Sequence, residues 1–187
     1  MVEAILHEPL ITLAVRAFLA LLFVTAALSK LSRIEEFYGV VRNFRLLPDG
    51  LSRVVAFVLP VVELAVAVGL VTRPLAVPAA AVAALLLIVF AVALAINVIR
   101  GRTYIDCGCF RQGLKQPVSW LLVGRNIVLT ALALSVVWLL PTVPAAGLAD
   151  GFIGLAAGSI AMLLYFSASM LSGLTAAQSS NLSSKGR

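Results

Sequence analysis

Two cysteines separated by a single glycine are the residues of this sequence best suited to chemistry. Cys107 and Cys109 are the only cysteines in 187 residues, so they cannot form a framework of several disulfides. A disulfide needs Cα atoms about 4.4–6.8 Å apart, and residues i and i+2 reach that separation when the residue between them bends freely. Gly108 supplies this freedom. The tripeptide therefore predicts a thiol pair with redox activity.

The surroundings of the pair bear on its reactivity. A disulfide in so small a ring is strained, and strained disulfides are easily reduced. Arg100, Arg102 and Arg111 favour a thiolate, whereas Asp106 opposes it. Two other interpretations stay open: the thiols are half of a shared metal site, or they are inert residues of a tight turn. We expect no metal site within the chain, because no suitable histidine or further cysteine completes one.

Ionisable residues also occur inside the apolar segments. Arg16 lies about two turns into the first segment and Glu63 lies near the middle of the second. Charged groups there cost at least about 2.5–3.5 kcal/mol each, so they need partners. Counted from the outer ends of their helices, Arg16 and Glu63 lie at similar depths in the membrane. This predicts an Arg16–Glu63 ion pair. The pair either fixes helix register or serves function. Pro60, one turn before Glu63, is expected to kink its helix.

A second polar group is expected beneath the cysteine segment. Asn97 ends the third apolar segment, and Arg125 with Asn126 lies about two turns into the fourth, on the cysteine side. Their convergence would form a polar pocket that supports the thiols. The alternative is that Arg125 extends towards the lipid headgroups.

Composition identifies the elements that must position these residues. The chain is 62% apolar and 12% charged, with a mean hydropathy of +1.11, which excludes a soluble enzyme, a disordered chain and a disulfide-rich secreted module. We predict an all-α integral membrane bundle, with a four-helix core and a fifth transmembrane helix. A single domain, 1–177, would precede a polar tail, 178–187. The predicted spans are 10–29, 54–72, 75–99, 118–140 and 151–172.

The segment between the first two spans has a different pattern. In Lys30–Arg53, charged residues alternate with apolar ones that fall mostly on one helical stripe. This pattern predicts a short helix in the headgroup layer, ended by the turn Pro48-Asp49-Gly50.

Basic residues are concentrated on one side of the predicted bundle. One side has eleven basic residues and the other has only Arg73. Because the positive-inside rule assigns the more basic side to the cytoplasm, we expect the N-terminus outside and the cysteine segment and C-terminus in the cytoplasm. The net charge of +6 serves topology rather than nucleic-acid binding. The eleven basic residues are Lys30, Arg33, Arg42, Arg45, Arg53, Arg100, Arg102, Arg111, Lys115, Lys185 and Arg187.

Over nearly its whole length the sequence resembles the methylamine-utilisation MauE family, membrane proteins related to the DoxX-like group. The specific part is Cys107-Gly108-Cys109-Phe110 after Arg-Gly-Arg; a glycine often follows the phenylalanine in the family, whereas Arg111 stands here. The looser matches are Ser29-Lys30, Pro60 with Glu63, Asn97–Arg102 and Arg125-Asn126.

The resemblance implies an accessory role in making methylamine dehydrogenase. The small subunit of that enzyme needs many disulfides and a tryptophan-derived quinone, and a thioredoxin-like MauD-type protein is the implied partner. The implied location is the bacterial inner membrane, with the lipid bilayer as the other partner. No cofactor is evident in the sequence, and a bound quinone is kept as a candidate.

The leading hypothesis is a redox accessory protein that exchanges disulfides between Cys107/Cys109 and a thioredoxin-like partner. Thiols in the cytoplasm cannot directly oxidise a periplasmic client, so this hypothesis requires a relay through the bilayer, an inward-folded loop or the opposite orientation. The alternative is a non-catalytic scaffold that stabilises another membrane complex. A transporter using Arg16 and Glu63 is less favoured, since no inverted repeat is evident.

Overall fold

A computed structural model describes residues 9–102, 118–144 and 147–185, with side chains described as far as Met170. Every regular element in these residues is helical. The elements are α1 (Pro9–Leu31), α2 (Ile34–Asn43), α3 (Asp49–Val71), a 3-10 turn (Arg73–Leu75), α4 (Ala76–Ile99), α5 (Trp120–Leu139), a second 3-10 turn (Leu140–Thr142) and α6 (Leu148–Lys185).

Within the described residues, five helices are long and apolar enough to cross a membrane: α1, α3, α4, α5 and α6. The prediction of an all-α membrane bundle is therefore confirmed. Helix α1 packs between α3 and α6, α3 also contacts α4, and α4 and α5 pack along each other. Helices α1, α3, α4 and α5 thus form the core, and α6 lies against the outside of α1.

Small residues on α4 allow this close packing. Ala76, Ala80 and Ala83 have no exposed surface, and they recur at the helical spacing that faces α3 and α5. Leu19 of α1 and Leu70 of α3 are fully buried in the same cluster. The centre of the bundle is therefore closely packed around its polar side chains.

Two helix boundaries differ from the expected spans. Helix α3 begins at Asp49, five residues before the expected position 54, because Pro48 is extended (φ −63°, ψ 155°) and is the N-cap of the helix. The Asp49 carboxylate lies in the first turn, where the helix dipole favours negative charge. Helix α6 continues to Lys185 and so includes most of the polar segment 178–187. Helix α3 also continues through the buried Pro60, and the kink there stays a prediction.

Helix α2 is the short helix expected between the first two spans. Its side chains Phe37 and Val40 are buried against Ala56 of α3, whereas most of its remaining residues are exposed or half-buried. The exposed residues Arg42 and Asp49 form an ion pair at 3.1 Å across the following turn. Helix α2 therefore lies against the base of α3 with its polar side outward, as an interfacial helix does.

Candidate functional site

The centre of the bundle contains a buried ion pair between Lys30 and Glu63. The Lys30 Nζ atom donates to both Glu63 carboxylate oxygens, at 2.8 and 2.9 Å, and to the Ala26 carbonyl oxygen at 3.3 Å. The two side chains are only 4% and 2% exposed. The Phe37 and Phe90 rings lie 5.5 and 5.7 Å from Nζ. This pair joins the end of α1 to the middle of α3.

The expected pairing of Arg16 with Glu63 is wrong. Arg16 instead donates from Nε to the Leu70 carbonyl oxygen at 2.8 Å and from Nη2 to the Val71 carbonyl oxygen at 2.9 Å. These carbonyls belong to the last turn of α3, which has no intrahelical donors for them. A cation at a helix C-terminus is also favoured by the helix dipole. Arg16 therefore caps α3 rather than neutralising Glu63.

The direction of helical side chains explains why Lys30, and not Arg16, is the partner of Glu63. Each Cα–Cβ bond leans towards the N-terminus of its helix. The Arg16 side chain thus leans towards the start of α1, away from Glu63, and the Lys30 side chain leans back into the bundle. Because α3 runs antiparallel to α1, Glu63 leans towards Lys30. Counting the depth of Cα atoms alone misses this shift.

A small cavity of about 50 Å³ connects the ion pair with polar residues of α5 and α6. Its lining includes Lys30, Glu63, Arg125, Asn126 and Tyr165. The Arg125 guanidinium carbon lies 5.8 Å from the centre of the Tyr165 ring, so Arg125 faces the bundle rather than extending to the headgroups. Four helices therefore bring ionisable or hydrogen-bonding groups to one place.

Asn97 is buried but does not line this cavity in the described structure. Its Nδ2 donates to the Ala93 carbonyl oxygen at 2.9 Å, and Oδ1 has no hydrogen-bond partner among the described residues. Asn126 similarly donates to the Leu122 carbonyl oxygen at 2.8 Å. The expected pocket of Asn97, Arg125 and Asn126 is thus only partly formed, because Arg125 and Asn126 line the cavity beside the ion pair and Asn97 does not.

The chain leaves α4 for the cysteine segment through a well-defined helix end. Gly101 has φ of 69°, its N–H donates to the Val98 carbonyl oxygen at 2.9 Å, and the Arg102 N–H donates to the Asn97 carbonyl oxygen at 2.9 Å. This is a Schellman motif, in which glycine tolerates the left-handed conformation. Arg100 is exposed and Arg102 half-buried at this point. Gly101 therefore fixes the direction in which the chain enters the cysteine segment.

The far end of the cysteine segment is also anchored. Val118 is 1% exposed and packs with Leu94, Leu122 and Val123. Because α4 and α5 pack along each other, Arg102 and Val118 bring both ends of the segment to one end of the bundle. Cys107, Gly108, Cys109, Asp106 and Arg111 lie outside the described residues.

Sequence reasoning missed Lys30 and Tyr165 as members of the polar centre. Lys30 was grouped with the basic loop residues, although its position at the end of a span and its long side chain allow it to reach back into the bundle. Tyr165 gave no signal, because a single tyrosine in an apolar helix is ordinarily part of the packing. The edge-to-face contact of its ring with Phe18, 5.8 Å between centroids, shows that it also packs.

Comparison with known proteins gives a consistent result. Residues 8–139 match the family described as methylamine utilisation protein MauE. The relatives with that name include proteins of Paracoccus denitrificans, 69% identical over 97% of this chain and 98% of the relative, and of Paracoccus versutus, 62% identical over 99% and 100%. A Methylorubrum extorquens relative is 55% identical over both full lengths. No solved structure matches the chain. The chain is a multi-pass membrane protein and belongs to the MauE family.

Proposed function

We propose that this protein uses Cys107 and Cys109 to support disulfide formation in the small subunit of a periplasmic dehydrogenase, methylamine dehydrogenase. The observation that carries the proposal is the combination of MauE membership with a lone cysteine pair in the segment between α4 and α5. The proposed partner is a thioredoxin-like protein of the MauD type.

The proposed step is a thiol–disulfide exchange that balances within the two proteins. A thiolate of the reduced partner attacks the Cys107–Cys109 disulfide, which gives a mixed disulfide and one free thiol on this protein. The second partner thiol then displaces the mixed bond. The partner loses two protons and two electrons and gains a disulfide, and Cys107 and Cys109 become two thiols. The oxidised partner can then oxidise the client.

Described residues support this role by anchoring the cysteine segment. The Schellman motif at Gly101 and the buried Val118 hold its two ends. Arg100 and Arg102, at the end of α4, add positive charge that stabilises a thiolate.

The experiment is a complementation test. Variants of this protein are expressed in a strain that lacks its own copy of the gene, and growth on methylamine is measured. We expect the double variant Cys107→Ser with Cys109→Ser to lose growth on methylamine and to accumulate small subunit with free thiols. Lys115→Ser, in the same segment, is the matched control and should support growth. The amount of each variant in the membrane is measured by immunoblotting, so that loss of protein is not mistaken for loss of function.

Single variants test the exchange itself. In Cys107→Ser or Cys109→Ser the remaining thiol has no resolving partner within its own chain, so it should trap a mixed disulfide with the thioredoxin-like protein. Acid quenching followed by thiol-specific mass tagging detects both the trapped species and the reversible disulfide of the parent protein. If the thiols stay reduced at every redox poise and the double variant still grows on methylamine, the redox proposal is contradicted and the alternative of a non-catalytic scaffold is favoured.

A further inference from the structure

The end of the bundle opposite the cysteine segment contains a second polar cavity. It has a volume of about 220 Å³ and lies among helix termini: the first turns of α1 and α6, the last turn of α3, and the turn after α5. Arg16 and Arg73 both line it. Helix termini lie where a transmembrane bundle meets the lipid headgroups, so this cavity is at the level of the membrane interface.

Both arginines are held by neutral groups rather than by carboxylates. Arg16 is 5% exposed and donates to the Leu70 and Val71 carbonyl oxygens, and Arg73 donates from Nη2 to the Val143 carbonyl oxygen at 2.7 Å. The ion pairs among the described residues involve neither arginine. The described lining contains no aspartate or glutamate, although the Asp150 carboxylate accepts from the N–H of the lining residue Gly147 at 2.9 Å.

This arrangement has an electrostatic consequence. The carbonyls of α3 offset only part of the Arg16 charge, since a helix C-terminus carries about half an elementary charge. Two positive charges line one small cavity at the edge of a low-dielectric bundle, and they outnumber the Asp150 carboxylate beside it, which leaves a net positive potential there. An anion that enters the cavity is therefore attracted by both side chains, and each guanidinium still has N–H groups suited to a planar or tetrahedral oxyanion.

We infer that this cavity binds a phosphate oxyanion, and that its source is the headgroup of an anionic phospholipid. The volume is too small for a drug-sized ligand, which occupies about 300–1,000 Å³, but it accommodates a phosphate with part of its glycerol. The position at the interface favours a lipid over a soluble anion. Basic pockets between transmembrane helices on the cytoplasmic side of membranes hold anionic headgroups, and the same charge pairing would operate at this opposite end of the bundle.

The test uses the full-length protein in an uncharged detergent. Phosphatidylglycerol, phosphatidylcholine or glycerol 3-phosphate is titrated at constant ionic strength, and binding is followed by native mass spectrometry together with the melting temperature. We expect phosphatidylglycerol to bind and raise the melting temperature, and phosphatidylcholine to bind at least tenfold more weakly because its charge is balanced.

Variants of Arg73 identify the site, since this residue is exposed and its change should not prevent folding. We expect Arg73→Gln to weaken phosphatidylglycerol binding roughly tenfold, and Arg73→Lys to restore part of it. The matched control is Arg53→Gln, which removes one exposed charge from the opposite end of α3.

Each outcome decides the inference. Phosphatidylglycerol binding that depends on Arg73 and not on Arg53 supports the headgroup site. If glycerol 3-phosphate binds as tightly as phosphatidylglycerol, with the same dependence on Arg73, the phosphate site is supported and its ligand is a soluble phosphate rather than a lipid. The inference would be overturned if lipid binding falls equally in Arg53→Gln, or if the parent protein binds neither phosphatidylglycerol nor glycerol 3-phosphate.

Discussion

Glu63 is 2% exposed, and its carboxylate accepts both of its described hydrogen bonds from Lys30. Taking two such charges out of water is costly, and the pair is retained only because each compensates the other. Arg125 and Asn126 line the adjacent cavity, but Lys30 is the group that donates to the carboxylate. Removing one member of the pair therefore has a larger effect than removing both.

We predict that Glu63→Gln lowers stability by about 3 kcal/mol, because Lys30 is left buried without a counter-charge. The double variant Lys30→Met with Glu63→Gln should recover much of that loss. Melting temperatures of the purified proteins in detergent measure both effects. As a control, Arg16→Met with Glu63→Gln should recover nothing, since Arg16 contacts α3 carbonyls instead. Recovery by the Arg16 variant rather than the Lys30 variant would contradict the pairing.

Gly101 allows a second prediction for a single residue. Its φ of 69° is costly for a residue with a Cβ atom, so we expect Gly101→Ala to destabilise the protein by about 1 kcal/mol. Gly124→Ala is the control, because Gly124 is helical and an added Cβ would meet nothing within 4 Å. That change should be neutral or slightly stabilising. Equal melting temperatures for the Gly101 variant and the parent would contradict this role.

The sequence was sufficient to identify Arg16 and Glu63 as buried ionisable residues, but not to identify their partners. Apolar periodicity gives the depth of a Cα atom, whereas the tip of a lysine or arginine side chain lies about one turn nearer the helix N-terminus. Lys30 reaches the depth of Glu63 through this displacement, as its contact with the Ala26 carbonyl oxygen shows. Partner choice also depends on which helices are neighbours, which is a tertiary property.

At the scale of elements, the contact between α6 and α1 depends on two glycines of α6. A Cβ added at Gly158 would lie 2.6 Å from the Ala17 Cβ and 2.9 Å from the Ala14 carbonyl oxygen, and one at Gly154 would lie 2.7 Å from the Leu13 Cβ. Such distances are far below van der Waals contact. The G-x-x-x-G spacing of Gly154 and Gly158 therefore corresponds to a close helix approach.

We predict that Gly158→Val separates α6 from α1 and destabilises the protein by about 1–3 kcal/mol, because the backbone of α1 cannot yield. The melting temperature and the protease sensitivity of α6 in detergent would measure this. Gly151→Val is the matched control on the same helix, since an added Cβ there meets nothing within 4 Å. If both variants behave as the parent does, the two helices do not depend on this contact.

The elements themselves were largely predictable, because a 20-residue apolar run in a bilayer has few alternatives to a helix. Boundaries that depend on local chemistry were less predictable. The prediction that Pro48-Asp49-Gly50 ends the short helix is wrong, because α2 ends at Asn43 and Pro48 instead precedes α3, which begins at Asp49. The amphipathic pattern of α2 was informative, because Phe37 and Val40 do form its buried side.

At the scale of the whole molecule, the two ends of the bundle differ in chemistry. One end has the anchored cysteine segment and most of the basic residues, and the other has the cavity lined by Arg16 and Arg73. Lys30 no longer counts among the surface charges, since it is 4% exposed and paired. Ten basic residues then remain on the cysteine side against Arg73 on the other, so the charge asymmetry is preserved.

This asymmetry predicts that the cysteine segment faces the cytoplasm, because loops rich in lysine and arginine are retained there. A reporter fused after Lys115 should be active as a cytoplasmic fusion, and one fused after Ala146 as a periplasmic fusion. In intact cells, a membrane-impermeant maleimide should label Cys107 and Cys109 only after permeabilisation, with a cysteine introduced at Gly147 as the accessible control. If this orientation is found, the proposed exchange with a periplasmic partner requires a relay of electrons across the bilayer, which the Lys30–Glu63 ion pair cannot supply because neither side chain is redox-active. The reverse labelling pattern would contradict the charge rule here and would place the thiols directly on the side of the client.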